Sequence, residues 1–257
     1  MQRVVRWLAM ALPPLLFIVG VVVLWELWVR EREVADYLVP RPSAVWEVLE
    51  GDPGRYAIAA QESLTAALGG LMVASLSAFA LAVLMAHSRL LERALYPTAL
   101  MIKVMPVVAV YPLFAIWFGF GIWPKVAIVA LITFFPMLVN ALIGLRSVDP
   151  ATLDFMRSMH SSRWDLLWCL RLPSSLPYVF AALRISVPLS LIGAVVAEFL
   201  SGSSGMGQLI LIANGDFDTP ALFGAIVVLA FLGVALTAIV AAVEHRLLFW
   251  HESRLEV

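Results

Sequence analysis

Charge is what this chain has least of. Asp, Glu, Lys and Arg make up 14% of its 257 residues, 62% are hydrophobic, and the mean hydropathy is +0.95. A water-soluble domain carries about 25% charged residues, so this chain lacks the polar surface to coat a globule in water. The formal net charge is −1, which removes the basic surplus that nucleic-acid binding draws on. Cysteine is nearly absent. Cys169 stands alone, which excludes an intrachain disulfide framework and a Cys-rich metal site, and a small apolar filler is its expected role. No GxxxxGK[ST] loop occurs to cradle nucleotide phosphates, and no HExxH to hold zinc. Ser186, Ser190, His87 and Asp149 fall at no spacing that pairs a serine with a base. His245 and His251 do not share a helical chelating spacing.

What is present is hydrocarbon. Apolar runs cover about 9–29, 61–86, 94–117, 124–145, 176–200 and 220–243, each near the roughly 20 residues that cross a bilayer as helix. A helix satisfies its own backbone hydrogen bonds in lipid, so the expected fold is all-α: a polytopic membrane protein of about six transmembrane helices. It reads as one domain over 1–257, with a core bundle at about 61–243. The first run is long for a signal-peptide core and no small-residue cleavage site follows it, so a retained membrane helix is expected. Beyond it "PSAVWEVLE" predicts a short helix capped by Ser43, with Val45, Trp46 and Leu49 on one face. Arginine placement sets the orientation. Arg3, Arg6, Arg89, Arg93, Arg146, Arg157, Arg163, Arg171, Arg246 and Arg254 fall on one side if both termini are cytoplasmic, against Arg30, Arg32, Arg41, Arg55 and Lys125 on the other.

One polar island breaks the pattern: "DPATLDFMRSMHSSRWDLLWCLRLPSSLP", 149–177, within a cytoplasmic loop of about 146–176. Asp149 before Pro150 predicts a helix start, an acceptor at the cap and then a residue with preset φ. A bend follows at "HSS", where φ > 0 is expected at His160. Ser162 and Asp165 then predict a capping box for a second short helix that Pro173 ends. Phe155, Met156, Met159 and Trp164 give this island an apolar tip, suited either to packing on its own bundle or to a partner's groove.

Few polar groups lie within the runs. Glu198 is a functional candidate by position, with a water-reachable structural role as the alternative. Lys103 either snorkels or lines a cavity. Asn140 reads as an interhelical hydrogen bond. Pro106, Pro112, Pro136 and Pro188 predict kinks, and Trp117, Phe118, Phe120 and Trp123 an aromatic belt.

The island resembles the EAA loop of ABC-importer permeases, E-A-A-x-x-x-G, nine residues, then I-x-L-P. Its places fall on Asp154, Phe155, Met156, His160, Leu170, Leu172 and Pro173. Asp replaces Glu, Phe-Met replaces Ala-Ala and His replaces Gly. "VPRPSAVWEVL", "PLFAIWFGFGIWPKV", "FFPMLVNALIGLRSVDP" and "VVAEFLSGSSGMGQLI" are similar to the nitrate, sulfonate and taurine group of permeases, and "ANGDFDTPALFGAIVVL" to the branch for pyrimidine (thiamine-precursor) or riboflavin uptake.

The resemblance implies the type I importer permease fold in a bacterial inner membrane. It implies a second permease copy, two ATPase subunits that alone hold ATP and Mg, and an extracytoplasmic solute-binding protein. It makes the island a coupling helix, with Asp154, Phe155, Met156, Met159, His160, Arg163, Trp164, Leu170, Leu172 and Pro173 facing the ATPase. Lys103, Met105, Tyr111, Asn140 and Glu198 become the pathway candidates, with no catalytic residue and no metal. A proton-coupled transporter using Glu198 is the rival reading, and it needs inverted repeats or several intramembrane charges that the sequence lacks.

Overall fold

The computed structural model describes residues 2–248, with side chains from residue 12 onward; His251 and Arg254 lie outside the described residues, as do the side chains of Arg3 and Arg6. The chain runs through α1 (Gln2–Glu31), α2 (Pro42–Gly51), α3 (Pro53–His87), α4 (Arg89–Lys103), α5 (Val107–Phe118), α6 (Ile122–Arg146) and α7 (Pro150–Ser158). It continues through α8 (Arg163–Ser201), α9 (Met206–Gly215) and α10 (Thr219–Leu247). Three starts use one local device. Asp52 accepts from the Arg55 N–H at 3.0 Å, Asp149 from Thr152 at 3.1 Å and Asp218 from Ala221 at 3.1 Å, each with proline in the first turn. The carboxylate satisfies one orphan donor, and proline has none to satisfy.

The centre is α3, α6 and α8. Along α3, Ala66, Gly70, Ala74, Ala78 and Ala82 are buried at every fourth residue, a ridge of small side chains that lets helices approach closely where lipid supplies no hydrophobic drive. Gly70 has no room for a side chain: a Cβ there would sit 2.7 Å from the Val126 carbonyl. Met137, Leu138, Ala141 and Leu145 of α6 and Ala182 of α8 fill the other side of this seam.

By contrast α1 is exposed along Leu12–Val19. It is tied to the rest by Glu26, which accepts from the Ser43 N–H at 3.0 Å and from its Oγ at 2.9 Å. Ser43 therefore does not cap α2. A carboxylate from a neighbouring helix takes that role, and no local pattern could reveal it. Of the face expected on α2, Val45 is buried and Leu49 half-buried, but Trp46 is exposed, since successive residues lie about 100° apart on a helix.

Among the described residues five helices are long and apolar enough to span a bilayer, six if α4 and α5 count as one span. That pair departs from the single straight helix expected at 94–117, because it bends by 100° at Val104–Pro106. Pro106 cannot donate the hydrogen bond that would continue α4, and it opens α5 instead. The second departure is at α8, which is continuous from Arg163 rather than broken at Pro173. A π-helical turn over Leu166–Arg171, in which the Leu172 N–H bonds the Leu167 carbonyl, leads into α-helix with Pro173 in its first turn. There the missing N–H breaks no α-helical bond. Cys169, on this turn, is exposed rather than a buried filler.

Candidate functional site

The loop between α6 and α8 is built almost wholly from its own polar side chains. Asp149 also accepts from the Thr152 hydroxyl at 3.1 Å, and Asp154 pairs with Arg157 at 3.3 Å. At the bend His160 has φ +58°, the left-handed conformation that histidine enters more readily than most side chains. Ser162 and Asp165 complete the capping box: the Ser162 N–H donates to the Asp165 carboxylate at 2.8 Å, and the Asp165 N–H to Ser162 Oγ at 3.2 Å. With both helix starts closed locally, the loop holds its shape with few ties to the bundle. One is Arg171, which donates to the Ala86 carbonyl at 3.1 Å. Nearby, Arg146 binds Glu92 at 2.7 Å and reaches the Met85 carbonyl at 3.2 Å, fastening the ends of α3, α4 and α6.

What the loop leaves uncovered is apolar. Phe155 is 63% exposed, Met159 63% and Trp164 68%. Met156, Leu170, Leu172 and Pro173 are half-buried, while Asp154 and Arg163 face solvent. Those four half-buried side chains belong partly to the packing of this chain, and the exposed tip consists of Phe155, Met159 and Trp164.

The opposite end of the bundle is organised in reverse. Glu198 is fully buried, not water-reachable. Ser63 Oγ of α3 donates to its carboxylate at 2.7 Å, and the Gly207 N–H of α9 does so at 2.7 Å. Ser63 Oγ also accepts from the Met206 N–H at 2.9 Å. The first-turn donors of α9 are thus closed by α3 and α8. Gly205, at φ +118°, passes so close to Glu198 that a Cβ would collide with the carboxylate. Lys125, buried at the start of α6, donates to the Ser204 carbonyl at 2.6 Å and holds the same turn.

The remaining pathway candidates are not brought together. Lys103 is exposed at the end of α4, its Nζ 4.6 Å from the centre of the Phe135 ring, a cation–π contact. Met105 is exposed in the bend after α4, and Tyr111 is buried against Ile128 and Ala197. Asn140 donates to the Pro136 carbonyl of its own helix at 2.9 Å, not to a neighbouring helix. Trp117, Phe118, Phe120 and Trp123 are all exposed around the α5–α6 turn, where Gly119 and Gly121 have φ of +77° and +126°. Sequence reasoning overlooked Arg184 inside the fifth run. It meets Glu244 of α10 at 2.6 Å. Its signal was plain, a lone arginine in an apolar stretch.

Comparison with known proteins adds to this geometry. Residues 70–249 match the family described as binding-protein-dependent transport system inner membrane component. A riboflavin transport system permease protein of Chloroflexus aurantiacus is 36% identical over 96% of this chain and 92% of its own. A formylaminopyrimidine transport permease protein of Halalkalibacterium halodurans is 34% identical over 95% of this chain and 98% of its own. The taurine transport system permease protein of Escherichia coli is 30% identical over 74% of this chain and 69% of its own. Among solved structures, the inward-facing MetNI methionine ABC transporter aligns at a TM-score of 0.60 with 15% identity, over 74% of this chain and 96% of that one. That similarity speaks for the fold.

Proposed function

The chain belongs to the binding-protein-dependent transport system inner membrane components, and from that premise we propose a specific division of labour for it. It is a multi-pass inner-membrane permease subunit of an ABC importer, and ATP hydrolysis belongs to a separate subunit. In our reading it forms the translocation pathway with a second copy of itself, receives solute from a binding protein, and keeps both termini cytoplasmic. The α6–α8 loop docks in a groove of the ATPase. ATP-driven closure of the ATPase pair carries the two loops together and, through α8, re-aims the membrane helices. Such a shift occurs only if nucleotide favours one of the two states by differential affinity.

One observation carries this reading. Phe155, Met159 and Trp164 stand exposed on a loop that is capped by its own side chains. Large apolar groups on an independently closed loop are what a partner's groove would cover. For the solute we favour a neutral nitrogen heterocycle of the riboflavin or formylaminopyrimidine kind. The relatives named for those solutes align over nearly the whole chain, whereas the taurine relative aligns over 74% of it. The proton-coupled reading finds no support, because Glu198 is enclosed by helix N–H and hydroxyl donors. The test is a cysteine at Met159 in a Cys169→Ser background, reconstituted with ATPase and binding protein. Crosslinking to the ATPase that varies with nucleotide, with riboflavin or formylaminopyrimidine uptake, is expected. A Met159 cysteine that labels freely in a transporting assembly would sink the docking role, and taurine uptake in their place would sink the solute class.

A further inference from the structure

Behind the exposed tip, between the loop and the end of α3, lies a cavity of about 370 Å³. Arg157, Arg163 and Arg171 line it together with His87 and the Ser161 turn. No carboxylate is among its lining residues. Asp154 meets Arg157 from a largely solvent-exposed position, and Asp165 is committed to the capping box. Arg163 has no ion-pair partner among the described residues. Arg171 is fixed by the Ala86 carbonyl, a bond that orients its guanidinium but leaves its charge uncompensated. Arg163 and Arg171 face one hollow without a carboxylate partner, beside an Arg157 whose charge Asp154 offsets only from a solvent-exposed position, and like charges so placed repel each other unless an anion sits between them. Guanidinium forks match the oxygens of a phosphate in pairs, so the cluster selects that anion over a spherical one.

Two features place the cavity where a bilayer meets water. It lies at the last residues of the membrane-capable helix α3, Ala86 and His87. Close in sequence to its lining residues, Leu90, three residues after His87, is 78% exposed, and Trp168, between Leu166 and Arg171 on the π-helical turn, is 64% exposed. Tryptophan at a helix end is characteristic of headgroup depth, and basic hollows among membrane helices receive lipid headgroups. We propose that this cavity holds the phosphate of an anionic phospholipid headgroup, gripped by Arg157, Arg163 and Arg171. The loop would then be held between two surfaces, its tip toward the ATPase and its basic back on lipid phosphate.

The test is native mass spectrometry and ligand-dependent melting of the full-length chain in uncharged detergent, with phosphatidylglycerol, phosphatidylcholine or inorganic phosphate added. Wild type is expected to retain phosphatidylglycerol, to lose phosphatidylcholine, and to keep the former against inorganic phosphate. The pair Arg157→Gln and Arg163→Gln, both at exposed positions, should weaken phosphatidylglycerol binding by about tenfold or more. Arg171→Gln should do the same, and the double Gln variant covers the case in which losing the Ala86 contact impairs folding. Equal retention of phosphatidylglycerol by wild type and the double variant would overturn the proposal. Displacement by inorganic phosphate would also overturn it, since the hollow would then serve a soluble anion. So would loss of ATPase co-purification in the double variant with phosphatidylglycerol retention unchanged.

Discussion

Two turns reverse the chain at opposite ends of the bundle, and both contain a residue at φ +58°, Gly202 after α8 and His160 before it. Around Gly202 the following residues plunge inward. Gly205, Met206 and Gly207 are buried, and the Met206 and Gly207 N–H groups donate to Ser63 and Glu198 on other helices. Around His160 every cap is local, and the large apolar side chains face outward. The first turn depends on the fold to close its hydrogen bonds, and the second brings its own. A region whose polar groups are satisfied by distant helices has a structural duty. A region that satisfies itself and leaves Phe155, Met159 and Trp164 bare has no such duty to the fold, which is why the docking role is proposed for it. Glu198, the more conspicuous residue on paper, is thereby the less promising functional site.

The severest way to break this comparison is at the buried turn. Gly205→Ala would place a Cβ into the Glu198 carboxylate at φ +118°. The backbone strain costs about 1–3 kcal/mol, since this conformation is essentially reserved to glycine, and overpacking a further 1–3 kcal/mol. We expect a fall in melting temperature of about 4–24 °C, at about 2–4 °C per kcal/mol for a chain of this size, together with poor recovery of monodisperse protein. An unchanged melting curve would mean that the turn yields to a side chain at this position. Glu198→Ala should fall between this and wild type, because the Gly207 and Ser63 donors lose their buried acceptor, at about 1–3 kcal/mol.

The exposed turn should respond in the opposite sense. Met159→Asp changes a side chain that is 63% exposed, so the melting temperature of the isolated chain should move by less than about 2 °C, since surface substitutions lie within roughly ±0.5 kcal/mol. Assembly should fail, because the same carboxylate would be buried in the partner's groove at a cost of several kcal/mol. Co-purification of ATPase separates the two effects. Full assembly by this variant would remove the distinction between the turns.

Much of the exposed turn was legible in the letters, and little of the buried one. Asp149 before Pro150, Ser162 with Asp165, and a bend at His160 are local signals, and each appears where the spacing put it. The close α3–α6 seam rests on five small residues at every fourth position, Ala66 to Ala82, that could also have been read. Glu198, Ser63 and the N–H of Gly207 meet, and Lys125 reaches the Ser204 carbonyl of the same turn, only after the chain has folded across a separation of 135 positions from Ser63 to Glu198. No periodicity carries that information. The remote cap that Glu26 gives Ser43 was hidden for the same reason. Pro173 misled because a proline after a polar bend usually ends a helix, and the π-helical turn that accommodates it has no composition of its own.

Removing one half of the capping box sharpens the contrast at a lower amplitude. Ser162→Ala leaves the Asp165 N–H to water, which reaches this exposed turn. A loss of about 1 kcal/mol is expected, seen as faster amide exchange at the start of α8 and not across the bundle. Protection lost throughout the chain would show that the loop is not an independent unit.

The smallest effect belongs to His160→Gly, where two terms oppose each other. Glycine adopts φ +58° without the penalty of a Cβ, which favours the folded turn by about 1 kcal/mol. It also widens the freedom of the unfolded chain, which disfavours folding by roughly 0.5–1 kcal/mol. The melting temperature should therefore shift by less than about 2 °C, with the direction set by which term is larger. His160→Val tests the conformation itself: a β-branched side chain at positive φ is a genuine outlier, so this variant should lose more stability than the glycine one. If valine and glycine melt together, the bend does not need its left-handed residue. If glycine melts like wild type but recovers less ATPase, the imidazole is a contact with that subunit, and the turn serves the interface through its chemistry as well as its shape.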